Sequence, residues 1–304
     1  MDKYRPLITI LTDTKNRSAL IPRCIESIQR QTYQNYEHII ADGGDDDTEE
    51  VVKAYNDSRI KYVKVPVGGP YAQTKTAFGM SSGDFITFLD DDDEYLPEKL
   101  EKQLELMLSL PTEYGFIYGS MSYYDNDSQK YLYDHKAIYE GGEELLPTAI
   151  SGPHVCGTPT FMFRRDVFES IGATWIPGIG NERSDWALAC KALREGWKVA
   201  ALKESYLKIY VNHSAVRMSD DKFYEDHCKR YIKFHNYFLV EYADVFKEHP
   251  KSAVPHYESL MHYNVLLGED KVARDVWCKL IKARFNIRSL LLLPYYKFRK
   301  CFWR

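Results

Sequence analysis

Gly83-Asp84-Phe85-Ile86-Thr87-Phe88-Leu89-Asp90-Asp91-Asp92-Asp93 is the stretch on which the fold turns. Phe85 to Leu89 is a short aromatic and branched run, the composition of a strand buried on both faces. It leads directly into four adjacent carboxylates, which repel one another and need a counter-charge. A hard divalent cation with oxygen ligands, Mg2+ or Mn2+, supplies one and shares its shell with substrate phosphates. A solvated acidic turn capping the next helix also accounts for the tetrad, and the four residues alone leave the two readings level.

The flanking sequence decides the surroundings. Upstream, Leu7 to Leu11 reads as a buried strand. Ser18 is placed to cap a helix whose apolar face is Leu20, Ile21, Cys24, Ile25 and Ile28. Tyr36 to Ala41 is a second strand closing at Asp42-Gly43-Gly44. Thr48 to Tyr55 is a helix, Ile60 to Val65 a third strand, and Gln73 to Ser81 a helix stopped by Gly83. Downstream, Pro97 suits the first turn of a helix over Glu98 to Leu108. Strands alternating with helices at this spacing predict an α/β fold with a mostly parallel central sheet flanked by helices. Ligands of such sheets bind beyond the carboxyl ends of the strands. Asp42-Gly43-Gly44 and Asp90 to Asp93 both lie just past strand ends, so one crevice is expected between them.

Past residue 110 the pattern loosens. Phe116 to Met121 and Phe161 to Phe163 read as strands, and Tyr123 to Tyr139 as a polar, aromatic loop or hairpin. Asp185 to Arg194 is a helix ended by Gly196, and from Asp220 onward the spacing is helical. The tyrosines around 118–139 are open to two readings, stacking on sugar rings or filling a loop-rich core.

The net charge of −4 gives no reason to expect a nucleic-acid partner. Val276 to Arg304 holds eight Lys or Arg and no acid, which leaves −12 on the remainder. Its basic residues are mixed with Leu290 to Leu293, Tyr295, Tyr296, Phe298, Phe302 and Trp303. That mixture fits an anionic membrane surface, and equally a packed helix with a solvated basic face. Six scattered cysteines without a CxxC pair, and no signal-peptide pattern, point to reduced thiols and a cytoplasmic chain, peripheral on the membrane if the tail docks there. The longest apolar candidate for a span, Leu290 to Leu293, is far too short to cross a bilayer.

Three segments resemble family-2 glycosyltransferases of the GT-A fold, over roughly residues 7–108. Gly83 to Asp93 resembles that family's G-E/D-x-I-x-F-L-D-x-D-D. Tyr36 to Gly44 is similar to its second strand and D-D/G-G-S turn, and Arg23 to Tyr33 to its first helix ending S-x-x-x-Q-T-Y. The resemblance implies a GT-A-like domain over 1–218, with the nucleotide-sugar side over about 1–108 and the acceptor side beyond it, and a helical region over 219–304. It implies a metal-dependent, non-processive, inverting transfer from a nucleoside-diphosphate sugar, expected to be UDP-linked, to a glycan or lipid-linked acceptor in surface polysaccharide or glycoconjugate synthesis.

Carried over residue by residue, the resemblance gives Asp42 to the donor base, Asp90 to the ribose with Asp91 beside it, and Asp92 to the metal with Asp93 close by. Thr12 and Asp13 fall on the donor side at the first strand's end, where the family's P-T-Y-N is Asp13-Thr14-Lys15-Asn16. Lys75 stands where that family usually has Asn. Ser184 to Gly196 is similar to the helix bearing the catalytic base, with Asp185 in the base position and Glu182 in reserve. Asp185 as a plain helix cap is the competing reading. Gly157 to Arg165 looks like the strand bordering the acceptor pocket. His213, with Arg217 and Ser219, falls where the family places a loop over the diphosphate, so His213 is a candidate metal or diphosphate contact.

A sugar nucleotidyltransferase would carry a Gly-rich loop after the first strand, and Thr12 to Arg17 has no glycine. A processive synthase would carry transmembrane helices and Q-x-x-R-W. A non-catalytic sugar-nucleotide or glycan-binding module would bind the donor without turning it over.

Overall fold

The computed structural model describes residues 5–173, 184–211 and 224–300. The chain divides into two compact units, one of Met1–Leu145 and Val155–Ser214, the other of Leu146–His154 and Ala215–Arg304.

The first unit is built on one nine-stranded sheet. In chain order its elements are β1 (Ile8–Thr14), α1 (Ile21–Gln29), β2 (Tyr36–Asp42), α2 (Thr48–Ala54), β3 (Ile60–Lys64), α3 (Gly69–Gly79), β4 (Phe85–Phe88), β5 (Glu94–Tyr95) and α4 (Lys99–Ser109). β6 (Tyr114–Asp125) and β7 (Tyr131–His135) follow. The second unit supplies α5 (Leu146–Ala149), and the first resumes with β8 (Met162–Arg164), α6 (Arg165–Ser170), α7 (Ser184–Arg194) and β9 (Lys198–Val211). The order across the sheet is β3-β2-β1-β4-β8-β6-β9-β5, with β7 paired on β6.

β3, β2, β1 and β4 are mutually parallel, as their helical crossovers require. Beyond β4 the sheet is mixed: β8 runs antiparallel to both β4 and β6, while β9 is parallel to β6. Ile8, Ile10, Ile40 and Phe85 bury one side against Ile21, Cys24, Ile25 and Ile28 of α1. The chain leaves β1 for β2 on one side and returns to β4 on the other, so β1 and β4 flank the topological switch point. Leu11 pairs with Phe88 there, and two residues further along the strands stand Asp13 and Asp90.

Local expectations are corrected in three places. Ser18 does not cap α1: Leu20 is the N-cap residue, after a turn in which the Leu20 and Ile21 N–H groups both reach the Arg17 carbonyl. Pro22 occupies the first turn, where its missing donor costs nothing. α3 starts at Gly69 rather than Gln73, again with a proline in its first turn, and stops at Gly79 rather than at Gly83. Of the two readings of Tyr123 to Tyr139, loop or hairpin, the hairpin is the one formed, with β7 antiparallel to β6. Gly157 to Thr160 is not strand: Thr158–Thr160 forms a 3-10 turn ahead of β8.

The second unit is helical: α8 (Tyr224–Glu241), α9 (Ala243–Glu248), α10 (Val254–Leu267), α11 (Asp270–Ala283) and α12 (Ile287–Lys300). Val254, Leu260, Met261, Val265, Val276, Leu280, Leu292 and Leu293 form its core. His256 is buried in it, donating from Nε2 to the Ile150 carbonyl at 2.7 Å. His256 Nδ1 lies 3.0 Å from His235 Nδ1, so His256 is left as the acceptor and His235 as the donor. Among the described residues no helix is long and apolar enough to cross a membrane, and Cys24, Cys156, Cys190, Cys228 and Cys278 are unbridged.

Candidate active site

The carboxyl ends of β1, β2 and β4 bring Asp13, Asp42 and Asp90 to one edge of the sheet. In β1 and β4 the carboxylate comes where the apolar run ends, whereas Asp42 closes β2 while still buried.

Asp90 is exposed to solvent, while the protein around it partly desolvates its carboxyl. That desolvation, followed by repulsion from Asp92, Asp91, Asp13 and Asp185, holds its carboxyl well above the ordinary carboxylate range. Asp13, Asp90 and Asp185, distant in sequence, thus share one electrostatic field. Asp91 is buried, accepting from Thr14 Oγ1 at 2.6 Å and from Arg17 Nη1 at 2.8 Å. Burial is the larger cause there and lifts it to about 6, against the pull of Arg17. Arg17 Nη1 also reaches Asp92 Oδ2 at 2.8 Å, so one guanidinium bridges two adjacent carboxylates. Asp93 points inward and accepts the Tyr210 N–H at 2.9 Å. Burial, then Asp92 and Asp90, raise its carboxyl well above normal.

Arg23 completes the rim. Its guanidinium donates to the Asp92 carbonyl and to Asn126 Oδ1, both at 2.9 Å, and lies 3.9 Å from the Tyr210 ring centroid.

Asp42 is fully buried. It accepts the Gly44 N–H at 2.7 Å, the Tyr62 hydroxyl at 2.7 Å and the Lys64 ammonium at 2.9 Å. Its carboxylate therefore fixes the Gly43-Gly44 turn and the end of β3. Gln73 of α3 donates to the carbonyls of Thr14 and Ala41, tying β1 to β2. Thr74 donates to Asp13 at 2.5 Å. Thr12 is buried, with its hydroxyl donating to the Leu89 carbonyl at 2.8 Å. His38 Nε2 lies 3.0 Å from that hydroxyl and so supplies the proton. Burial drives the His38 pKa down to about 3, in keeping with a neutral ring. Thr12 thus positions the backbone just before Asp90.

Lys75 is exposed on α3, 6.0 Å from the Tyr71 ring, and is not among the described partners of the crevice carboxylates. Asp185, at the start of α7, is half-buried and accepts the Gly157 N–H at 2.5 Å. Gly157 has φ +96°, so this turn needs glycine. Asp185 lies close enough to act on the charge of Asp90. His213, Arg217, Ser219 and Glu182 lie outside the described residues.

The structure therefore gathers Thr12, Asp13, Asp42, Asp90 to Asp93 and Asp185 on the side of the sheet where β1, β2 and β4 end. Among the described residues no three His, Cys, Asp or Glu side chains form a ready metal-ligand group. Arg17, Arg23, Tyr62, Lys64, Gln73 and Thr74 are members that sequence reasoning missed. Lys64 alone had a usable signal: in a parallel pair it falls opposite Asp42.

A family model described as Glycosyl transferase family 2 matches residues 9–172, more than half of the chain. The chain belongs to glycosyl transferase family 2. Among relatives of this family 2 chain, the UDP-Glc:alpha-D-GlcNAc-diphosphoundecaprenol beta-1,3-glucosyltransferase WfgD of Escherichia coli is 34% identical over 143 residues. That match covers 46% of this chain and 55% of the relative, so the chain spans about half the length of that protein. A GalNAc(5)-diNAcBac-PP-undecaprenol beta-1,3-glucosyltransferase of Campylobacter jejuni is 26% identical over 262 residues, 77% of this chain and 82% of that one. In fold, the chain is similar to residues 1–349 of S. aureus TarS, solved in complex with UDP-GlcNAc. The TM-score is 0.60 at 13% identity, over 96% of this chain and 92% of that one. The α/β, GT-A-like fold with C-terminal helices is thereby established for this family 2 member.

Proposed function

We propose that this crevice binds a UDP-linked sugar and transfers the sugar, with inversion, to a hydroxyl of a lipid-linked or growing surface glycan. The observation that carries the reading is the convergence of Asp13, Asp90, Asp92 and Asp185 at the switch point, where Asp90 feels all the others. The names of the two bacterial relatives, both transferring to undecaprenol-linked sugars, support the acceptor class.

Asp42 lies at the base end of the crevice, fixing the turn and Lys64 around it. Asp90 takes the ribose side. The donor set fits a hard divalent ion, Mn2+ or Mg2+: the carboxylates are oxygen ligands, and a bound cation would relieve the mutual repulsion that raises Asp90 and Asp93. Asp92, with Asp93 beside it, would hold that ion, with His213 as a further contact. When bound, the ion neutralises charge on the diphosphate. Asp185 takes the proton of the acceptor hydroxyl as its oxygen attacks the anomeric carbon. The bond from that carbon to the diphosphate oxygen breaks on the opposite face, which inverts the centre. The Gly157 N–H fixes one Asp185 oxygen and so aims the carboxylate. The outer face of α12 is proposed to rest on anionic lipid.

A thermal-shift screen of UDP-, GDP-, CMP- and dTDP-sugars with and without Mn2+ tests the donor site. A metal-dependent rise with UDP-sugar, lost in Asp92→Ala, is expected. Asp185→Asn should bind donor like wild type and lose roughly 10²–10⁴-fold in transfer rate. If no nucleotide raises the melting temperature, the donor reading falls.

A further inference from the structure

The β6–β7 hairpin carries an aromatic face that donor binding leaves unused. Tyr123 pairs with Tyr133 and Met121 with His135. Alternation along a strand therefore sets Met121, Tyr123, Tyr133 and His135 on one face. The Tyr123 and Tyr133 rings stack with centroids 4.6 Å apart and an interplanar angle of 15°. On the opposite face Ser122 donates to Asp134 at 2.8 Å, which pins the register.

Tyr133 is 54% exposed, Tyr131 54% and Leu132 42%. Among the described strands β7 pairs only with β6, so these side chains lie on a sheet edge. Natural edges are usually blunted by charge, proline or a covering element, because a bare apolar edge invites association. An edge that keeps two tyrosines and a leucine in water is more readily explained by a ligand than by stability.

The hairpin's position says which ligand. Met121 packs on Gly157: a Cβ added there would lie 2.7 Å from Met121 Sδ. Met121 Sδ is also 3.9 Å from the Tyr123 hydroxyl. Since the Gly157 N–H holds Asp185, a continuous row runs from Asp185 through Gly157, Met121 and Tyr123 to Tyr133. The electrostatics agree. Burial first, then Tyr133, Cys156, Asp93 and Asp185, push the Tyr123 hydroxyl up to about 12. The tyrosine face is thus joined to Asp185 by a chain of direct contacts.

We propose that the Tyr123–Tyr133 stack is the platform on which a pyranose ring of the acceptor glycan lies while a hydroxyl is presented to Asp185. A pyranose has a flat C–H face and a polar rim. Tyrosine matches it with an apolar ring face and a hydroxyl able to bond at the edge. With only two side-chain torsions, and here held by stacking, it loses little entropy on binding. The proposal rests on the transfer reading above and deepens it by giving the acceptor a place.

The test uses the full chain labelled with 3-fluorotyrosine. Fluorine NMR follows titration with the methyl glycosides of glucose, N-acetylglucosamine and N-acetylgalactosamine, in the presence of UDP and Mn2+. Wild type, Tyr133→Ala and Tyr133→Phe are compared. At least one glycoside should shift the Tyr133 resonance, Tyr133→Ala should weaken its binding about tenfold, and Tyr133→Phe should retain most of it. The UDP-dependent rise in melting temperature should be the same in all three proteins, because Tyr133 is outside the donor side. Equal sugar affinity in Tyr133→Ala overturns the platform, as does the absence of a Tyr133 shift with every glycoside. A change of oligomeric state in Tyr133→Ala with sugar binding intact also overturns it, and assigns the edge to a second copy. Failure of UDP to bind any of the three proteins sinks the donor reading instead, and a Tyr133 shift in that case leaves the platform as a glycan site.

Discussion

Arg17 sits between Asp91 and Asp92, 2.8 Å from each, and supplies a positive charge where a divalent cation is proposed to act. The guanidinium is partly exposed, so the stability it contributes is reduced by solvent screening to about 1 kcal/mol. Arg17→Ala should lower the melting temperature in chelator by roughly 2–4 °C. Mn2+ should then raise the variant's melting temperature by more than it raises wild type's, because the ion relieves repulsion that Arg17 had offset. An equal or smaller Mn2+ effect in the variant would show that the two charges do not compete for one place. Asp90 to Asp93 were legible as a charged cluster, but their division of labour was not. Adjacent residues on a turn point in different directions, and only the fold decides that Asp93 holds the Tyr210 N–H while Asp92 faces the crevice side with Arg17.

Two loops after parallel strands meet through glycine and asparagine. Asn16, past the end of β1, accepts the Asp45 N–H at 2.6 Å. A Cβ on Gly44 would come within 2.4 Å of the Asn16 backbone nitrogen, well inside contact distance. Gly44→Ala therefore has to separate the loop after β1 from the loop after β2, and a backbone cannot give way as a flexible side chain does. A loss of about 1–3 kcal/mol in denaturant unfolding is expected, with weaker UDP binding because the Asp42 turn moves. Wild-type stability and affinity in this variant would mean that the loops are not locked together. The first four strands and their helices were readable because each is an apolar run closed by turn residues. β7 was legible only as half of a loop-or-hairpin alternative, since Tyr131-Leu132-Tyr133 lacks the alternation of a half-buried strand and all three are exposed.

Across the whole molecule the charge is divided, with the basic excess confined to the last helices. α12 is apolar on two faces. Leu292 and Leu293 enter the core of the helical unit, while Ile287, Leu290, Leu291 and Tyr295 are exposed and fall on one side at helical spacing. Exposed Arg284 and Arg288 lie beside them. An apolar stripe with basic flanks is the arrangement that binds anionic interfaces. The full chain should float with phosphatidylglycerol vesicles and not with phosphatidylcholine, and Ile287→Glu with Leu291→Glu should abolish flotation while leaving the melting temperature within about 1–2 °C. Flotation unchanged by the double substitution would remove the membrane from the reading.

The sequence by itself determined the α/β alternation and the arrival of acidic residues at the carboxyl ends of β1, β2 and β4. Those follow from local rules, burial of apolar runs and turn chemistry, that act within ten or so residues. Only the tertiary structure decided that Thr12 serves the Leu89 carbonyl, that Asp42 is enclosed by Tyr62 and Lys64, and that Asp185 hangs from Gly157. These partners lie 20 to 77 residues apart in the chain, and no periodicity encodes a hydrogen bond across such distances. They come together because the sheet fixes the order and register of its strands, and the side chains at their ends take whatever partners that register brings.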